Sequence, residues 1–315
     1  MLFADDAAVV SHTQQGLQQL MDNFSQACKD FGLTISLKKT NVLGQNTDAP
    51  PVITIDNYQL DAVQQFTYLG STISDDLTLD IEINQRIGKA ATTLSRLTKR
   101  VWENSKLTVN TKMAVYNACV VSTLLYGSET WTTYARQERR LNSFHLRSLR
   151  RILGISWQDK VCNTDVLTRA GLPSMYTQLR QRRLRWLGHV HRMEDGRIPK
   201  DLLYGELACG KRTTGRPHLR YRDVCKRDMK ALDINITSWE TLASDRTRWR
   251  NTIHQHLVTG EKKLSDAAED KRTRRKQHNN TDRPTSTYIC DLCDRDCHSR
   301  IGLFSHKRAC SRPDP

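Results

Sequence analysis

The sequence predicts an α+β chain in which a mixed amino-terminal segment, a long helical middle and a small cysteine-rich unit follow one another. Three observations support this prediction. Short alternating apolar runs, typical of β-strands, occur within the first 76 residues. Apolar residues then recur at helical spacing as far as residue 257. Four of the nine cysteines lie together near the carboxyl end, whereas the other five are scattered.

Residues 1–76 combine one amphipathic helix with short strands. The helix is predicted from Gly16 to Cys28, with Gly32 following its end. Its apolar stripe consists of Leu17, Leu20, Met21, Phe24 and Cys28. Short strands and hairpins are predicted at 33–37, at 53–55 before an Asp56-Asn57 turn, and at 65–73.

Residues 77–257 are predicted to be mainly helical. One stripe consists of Ile83, Ile87, Ala90, Leu94, Leu97 and Val101, and a second of Ala114, Ala118, Val121 and Leu125. Two further helices, predicted at 136–153 and 179–193, carry so many arginines that their polar faces are nearly all positive. Residues 258–287 are nearly free of apolar side chains, and this composition predicts a disordered charged linker.

The charge of the chain favours an anionic partner. Lys and Arg number 49 against 34 Asp and Glu, which gives a formal net charge of +15. No apolar run is long enough to cross a bilayer, and the amino terminus has no secretory signal pattern. We therefore expect an intracellular chain with RNA or DNA as its partner and no membrane partner. The basic run at 271–276 is typical of a nuclear localisation signal.

Two adjacent carboxylates, Asp5 and Asp6, follow an apolar run at the start of the chain. Paired carboxylates on a tight turn can bind hard divalent cations, which prefer oxygen ligands. The alternative is an ordinary polar turn, in which Asp residues are common. The pair alone does not decide between a metal site and a turn.

The order of the motifs FADD, a helix, FGLTISLKKTNVL, a hairpin and FTYLGSTIS resembles the reverse transcriptases of non-LTR (LINE-type) retrotransposons over about the first 75 residues. The resemblance implies a polymerase palm and RNA-directed DNA synthesis. It implies that Asp5 and Asp6 bind Mg²⁺ and that Lys39, or alternatively Lys38, lies near the triphosphate of a dNTP. It also implies that the hairpin at 66–73 holds the primer end.

Reverse transcriptases of this type also carry a metal-binding aspartate on an earlier palm strand and fingers that cover the nucleotide. We expect Met1 to be an internal methionine of a longer reading frame, because nothing upstream of it supplies these parts. Two carboxylates on a terminal hairpin do not preorganise two metal ions. We therefore expect this chain alone to be an inactive fragment that uses Mg²⁺ only if the palm site is completed.

The resemblance extends downstream through LLYGSETW, LRQRRLRWLGHVHRM and GKRTTGRPHLRYRDVCKRDMK, and it implies a thumb followed by a basic region that favours RNA. On the second arginine-rich helix, Arg182, Arg183 and Arg185 are predicted to point outward beside Trp186, where they could contact phosphates while the indole stacks on a base. The alternative is a solvated charged face with a core tryptophan. A second basic run, predicted as a loop entering a helix, adds Lys211, Arg212 and Arg216.

The cysteine-rich end predicts a ββα zinc finger at 288–312. Cys290 and Cys293 are separated by two residues, and His306 and Cys310 by three, with twelve residues between the pairs. This spacing lets all four ligands face one tetrahedral Zn²⁺. Cys297 is expected to be a small core residue. The alternatives are a chance cluster or a disulfide knot.

The predicted domains are thus a palm remnant at 1–76, a helical thumb and basic downstream region at 77–257, the linker at 258–287 and the zinc finger at 288–312. A different functional hypothesis is a host nuclear nucleic-acid-binding protein, derived from such an element, in which the zinc finger is the working part.

Overall fold

The computed structural model describes residues 2–205, 215, 218–280, 288–297 and 299–310. The chain divides into two compact units, Met1–Glu261 and Lys262–Pro315. In the described residues the α-helices are α1 (Gln14–Asp30), α2 (Asp80–Arg96), α3 (Val109–Val115), α4 (Ser122–Leu124), α5 (Ala135–Leu153), α6 (Asn163–Ala170), α7 (Met175–His191), α8 (Ile198–Tyr204), α9 (Tyr221–Ala231), α10 (Trp239–Ser244), α11 (Arg246–Asn280) and α12 (Arg300–Cys310). The structure is therefore mostly helical with small sheets, compatible with the predicted α+β class.

The strands pair two by two. Antiparallel pairs join β1 (Leu2–Phe3) to β2 (Asp6–Ala7), β4 (Thr54–Ile55) to β5 (Tyr58–Gln59), and β7 (Gln65–Tyr68) to β8 (Ser71–Ser74), while β3 (Asn41–Val42) pairs in parallel with β6 (Asp61–Ala62). The predicted turn at Asp56-Asn57 forms with φ of 48° and 63°, the left-handed values that two-residue hairpins favour. The prediction of a strand at 33–37 is wrong, because this stretch is irregular and leads into a 3₁₀ turn at Leu37–Lys39.

Helix α1 packs against β3 and β4. The Thr13 side chain accepts a hydrogen bond from the Gly16 N–H and so begins the helix. The helix buries Met21 against a small apolar cluster formed by Val42, Ile53, Ile55 and Leu60. Leu20, predicted to lie on the buried stripe, is exposed.

The helical middle contains two apolar clusters. The first packs α2, α3, α5 and α6 together, with Ile83, Ala90 and Leu94 of the predicted stripe buried in it. The second packs α7, α9, α10 and the start of α11 around Trp239 and Trp249. Both clusters lie within the first unit, and α7 contributes to each of them.

The second predicted stripe is partly wrong. Ala114 and Ala118 are exposed, whereas Met113, Tyr116 and Val120 are buried. Met113, Tyr116, Val120 and Leu124 form the buried face at helical spacing, although the chain is π-helical at Tyr116–Val121. The larger apolar side chains therefore lie on the buried face, and the two alanines lie beside it.

Composition predicted disorder from 258 to 287, but residues 258–280 belong to helix α11. Most side chains from Lys262 to Arg275 are exposed, as expected for a segment with few apolar residues. Residues 258–280 are rich in Lys, Arg, Glu and Ala, which have good helix propensity, and Gly260 is their one glycine. A helix can therefore form here without a buried face. Residues 281–287 lie outside the described residues. In the part of the chain that is described, no helix is long and apolar enough to cross a membrane.

Candidate nucleic-acid and metal sites

Asp5 and Asp6 lie in the β1–β2 hairpin, with Asp6 paired to Phe3 across the turn. Both are exposed, and so is Phe3. The described residues bring no cluster of three or more Asp, Glu, His or Cys ligands to this hairpin. The geometry is that of an open turn that presents two carboxylates, and their role in binding Mg²⁺ remains a prediction.

The other residues of the predicted palm are held by local contacts. Lys38 and Lys39 form the exposed end of the 3₁₀ turn. The hairpin of β7 and β8 forms as predicted and is joined to α2, because Glu82 accepts a hydrogen bond from the Thr72 N–H at 2.8 Å. Arg86, paired with Glu82 at 2.7 Å, donates to the main-chain oxygen of Gly70 at the hairpin turn. These contacts fix the hairpin relative to the helix that follows it.

Arg183 does not point outward as predicted. It is fully buried, and its Nε lies 2.6 Å from Asp228 Oδ2 while its Nη2 lies 3.1 Å from Glu138 Oε1. Its Nη1 donates to the Thr133 hydroxyl at 2.9 Å. Burial alone would lower the pKa of Arg183, but the charges of Asp228 and Glu138 and the hydrogen bond to Asp228 outweigh it and raise the pKa. This guanidinium is structural and cannot reach a phosphate.

The neighbouring residues on α7 are accessible. Arg185 is exposed, and Trp186 and Arg182 are half-buried. Arg182 Nη1 donates to the main-chain oxygen of Leu125 at 3.0 Å. These three side chains line one open cleft of about 600 Å³, and the structure thus brings together three of the four predicted residues on this helix.

A second basic site was missed from the sequence. Arg96 ends α2, and Lys99 and Arg100 lie in the short π-helical turn that follows it at Thr98–Trp102. With Arg151 of α5 they line one concavity of about 430 Å³. Arg151 Nη2 donates to the Thr98 hydroxyl at 3.2 Å, which fixes its guanidinium beside the others. The i, i+3, i+4 spacing of the first three was a signal for a shared helix face. We call these four residues the basic patch.

The predicted contacts Lys211, Arg212 and Arg216 lie outside the described residues. Arg222, on α9 shortly after them, lies 5.9 Å from the ring centroid of Tyr204, a cation–π arrangement. The role of the three basic residues remains a prediction.

The predicted metal ligands come together at the carboxyl end. The ligand atoms of Cys290, Cys293, His306 and Cys310 all lie within 4.8 Å of one another. Cys293 Sγ lies 3.1 Å from His306 Nε2. Cys290 and Cys293 lie at a turn that is closed by a bridge between Ile289 and Asp296. His306 and Cys310 lie on α12.

This donor set fits a tetrahedral zinc ion, which prefers cysteine sulfur and histidine nitrogen. Hydrogen bonding by the backbone N–H of Leu292 lowers the pKa of the Cys290 thiol, which favours the thiolate that binds metal. Cys297 is not part of the ligand cluster, and it is half-buried where a small core residue was predicted. The bridge and the following helix give the cluster a ββα-like order along the chain.

Comparison with known proteins supports the resemblance. A transposon-derived protein of Caenorhabditis elegans is 27% identical over 269 residues, which cover 81% of this chain and 95% of that protein. The RNA-directed DNA polymerases from the mobile element jockey of Drosophila melanogaster and Drosophila funebris are 26% and 25% identical over about half of this chain. These alignments cover only 18% of each polymerase. No protein-family model matches the chain, and no solved structure matches it.

Proposed function

Because the chain is related to the reverse transcriptases of non-LTR retrotransposons, we propose that it binds nucleic acid through the phosphate backbone, with RNA as the favoured partner. The observation that carries the proposal is the basic patch, where four cationic side chains from the end of α2, the turn after it and α5 surround one concavity. Glu103 is the only acidic residue among those lining it. A phosphate oxygen placed there would meet guanidinium groups from two directions, which is the geometry that favours charge-assisted hydrogen bonds.

In this proposal residues 1–76 correspond to a polymerase palm remnant, with Asp5, Asp6 and Lys39 as its catalytic residues. Two-metal nucleotidyl transfer needs carboxylates that hold both ions in a fixed arrangement. Asp5 and Asp6 are exposed on a short hairpin without a further acidic ligand among the described residues. The 315 residues on their own therefore bind nucleic acid and do not extend a primer. Mg²⁺ and a dNTP become ligands only if the palm site is completed.

The Cys/His cluster supports a zinc ion as the structural cofactor of residues 288–310. It also favours a second candidate function, that of a host nuclear nucleic-acid-binding protein in which the finger is the working part. The two candidates differ in where the binding energy lies. The first predicts that the basic helices dominate binding, and the second that removing zinc abolishes it.

Neutralising part of the basic patch tests the first candidate. The double substitution Lys99→Gln and Arg100→Gln is expected to weaken binding to structured RNA and to reduce the slope of log K against log salt by about 1.5, since each phosphate contact contributes about 0.7–0.9. Affinity is measured by fluorescence anisotropy over a series of salt concentrations. The matched control is Arg169→Gln with Lys230→Gln, two exposed cations outside the patch. Equal slopes for the two double variants would contradict phosphate binding at the patch.

A further inference from the structure

The cleft beside Trp186 is lined by aromatic and aliphatic side chains as well as arginines, unlike the basic patch. One wall is α7, and the facing walls are formed by Asn117 and Val121 from the π-helical segment and by Leu172 and Pro173 from the loop before α7. Its volume of about 600 Å³ lies in the range of small-ligand sites. The lining combines an aromatic side chain, aliphatic side chains, amides and arginines. Such a site suits a ligand with a flat apolar face and a negative charge.

Trp186 is half-buried because of its position on α7. Leu184, Leu187 and Val190 form the buried stripe of α7, so Trp186 lies at the edge of that stripe. The indole packs against the second apolar cluster on one side and lines the cleft on the other. His189, one turn further along, has its ring centroid 5.2 Å from that of Trp186 at an interplanar angle of 50°. The tilted imidazole borders the indole without stacking flat on it.

The charge at the rim of this cleft is positive. Arg182 and Arg185 line it, and Glu129 is the only acidic residue among the lining side chains. Glu129 lies 3.9 Å from Arg182, at the limit of an ion pair. Partial burial of the Arg185 guanidinium, followed by the nearby positive charges of Arg250 and Arg182, lowers the pKa of Arg185. The charges show that other cations lie close to this side chain. An anion at the rim would relieve that repulsion.

We propose that this cleft, which we call the Trp186 cleft, holds an unpaired nucleobase stacked on the indole of Trp186, with the adjoining phosphate bound by Arg182 and Arg185. A base within a duplex is already stacked on its neighbours and cannot enter a cleft. The chain therefore binds single-stranded nucleic acid in preference to duplex. This inference rests on the proposed function, because it names the class of nucleic acid that one part of the surface selects.

The chemistry of the lining limits what the cleft can recognise. Aromatic stacking accepts every base, because each base has a π-face. The Asn117 and Gln181 amides can form hydrogen bonds with a base edge, but each offers both donors and acceptors and so accepts different bases. The cleft thus gives a preference for unpaired strands with little sequence choice. RNA and DNA single strands both fit this chemistry.

The test uses the zinc-loaded full chain and a short single-stranded oligonucleotide with a central 2-aminopurine, in RNA and DNA forms, beside the matching duplex. Trp186→Ala is expected to weaken single-strand binding about 5- to 150-fold, the range that loss of one stacked base produces. Trp186→Phe, which keeps an aromatic face, retains most of the affinity. Duplex binding and the salt slope stay unchanged in both variants. Trp157→Ala is the control, since Trp157 is 85% exposed and lies outside the cleft.

The possible outcomes separate this inference from the proposed function. An equal loss of single-strand and duplex affinity in Trp186→Ala would overturn the inference that the Trp186 cleft binds an unpaired base. It would leave the proposal of phosphate binding intact. Salt-independent binding, with no effect of neutralising Lys99 and Arg100, would instead overturn the proposed function. If Trp186→Ala fails to fold, photocrosslinking of a 5-iodouracil oligonucleotide to the unmodified chain decides the matter. A crosslink to Trp186 or His189 supports the inference, and crosslinks confined to other residues overturn it.

Discussion

Replacing Arg183 with methionine is expected to lower the free energy of unfolding of the Met1–Glu261 unit by about 3–5 kcal/mol, the usual cost of removing one partner from a buried ion pair. The substitution keeps an unbranched side chain and removes the guanidinium. Asp228, nearly fully buried, then loses its closest cation, which lies at 2.6 Å. Thr133 loses a donor as well. Urea unfolding followed by tryptophan fluorescence measures the change.

The cost is large because Arg183 joins three helices. Its own helix is α7, Glu138 lies on α5 and Asp228 lies on α9. Glu138 keeps a second partner in Arg227, whose Nη2 lies 2.8 Å from it, whereas Arg180 lies 3.7 Å from Asp228. We therefore expect the double variant Arg183→Met and Asp228→Asn to be less destabilised than the sum of the two single variants. That coupling distinguishes an electrostatic loss from a loss of packing.

Arg185→Met is the matched control, since it makes the same chemical change two residues further along α7 at an exposed position. It should change the free energy of unfolding by no more than about 0.5 kcal/mol. A change below about 1 kcal/mol for Arg183→Met would mean that the buried ion pairs contribute little to stability. The same conclusion would follow if the losses of stability in Arg183→Met and Asp228→Asn simply added up in the double variant.

Removing one zinc ligand is expected to unfold residues 288–310. Structural zinc contributes about 10–16 kcal/mol of binding free energy in small fingers, and so short a segment cannot bury enough apolar surface without it. The purified chain should contain one zinc ion, and Cys293→Ser should abolish tight binding because Cys293 lies within the cluster. Metal content and the visible spectrum of the cobalt-substituted chain report the loss.

Cys297→Ser provides the control for the zinc prediction. Cys297 lies four residues from Cys293 but is not part of the ligand cluster. The variant should keep one zinc ion and a tetrahedral cobalt spectrum. Loss of metal from Cys297→Ser, with retention in Cys293→Ser, would mean that the ligand set is wrong. Helix content of the rest of the chain should be unaffected in either variant.

Features that depend on local chemistry could be predicted from the sequence. The Asp56-Asn57 turn forms because both residues tolerate the left-handed backbone, and the cluster from Cys290 to Cys310 forms because its spacing suits one ion. The hairpin at 65–74 is likewise a local feature. In each case the residues that determine the structure lie close together along the chain.

Features that depend on tertiary contacts could not be predicted in this way. Arg183 and Arg185 look alike in sequence. Only contacts with residues distant in the chain, Asp228 and Glu138, distinguish the buried Arg183 from the exposed Arg185. Arg151 joins the basic patch only because α5 packs beside the end of α2. Ala114 and Ala118 are exposed because the larger side chains of Met113, Tyr116 and Val120 lie on the face that packs into the core.

Nucleic-acid binding without polymerisation is tested most directly by measuring the affinity of the zinc-loaded chain for structured RNA between 50 and 200 mM salt, with Mg²⁺-dependent primer extension in parallel. If about six to ten cations contact phosphates, affinity should fall by about 10³- to 10⁵-fold across this range. No extension should occur. Salt-independent binding, or primer extension that Asp5→Ala abolishes, would contradict the account.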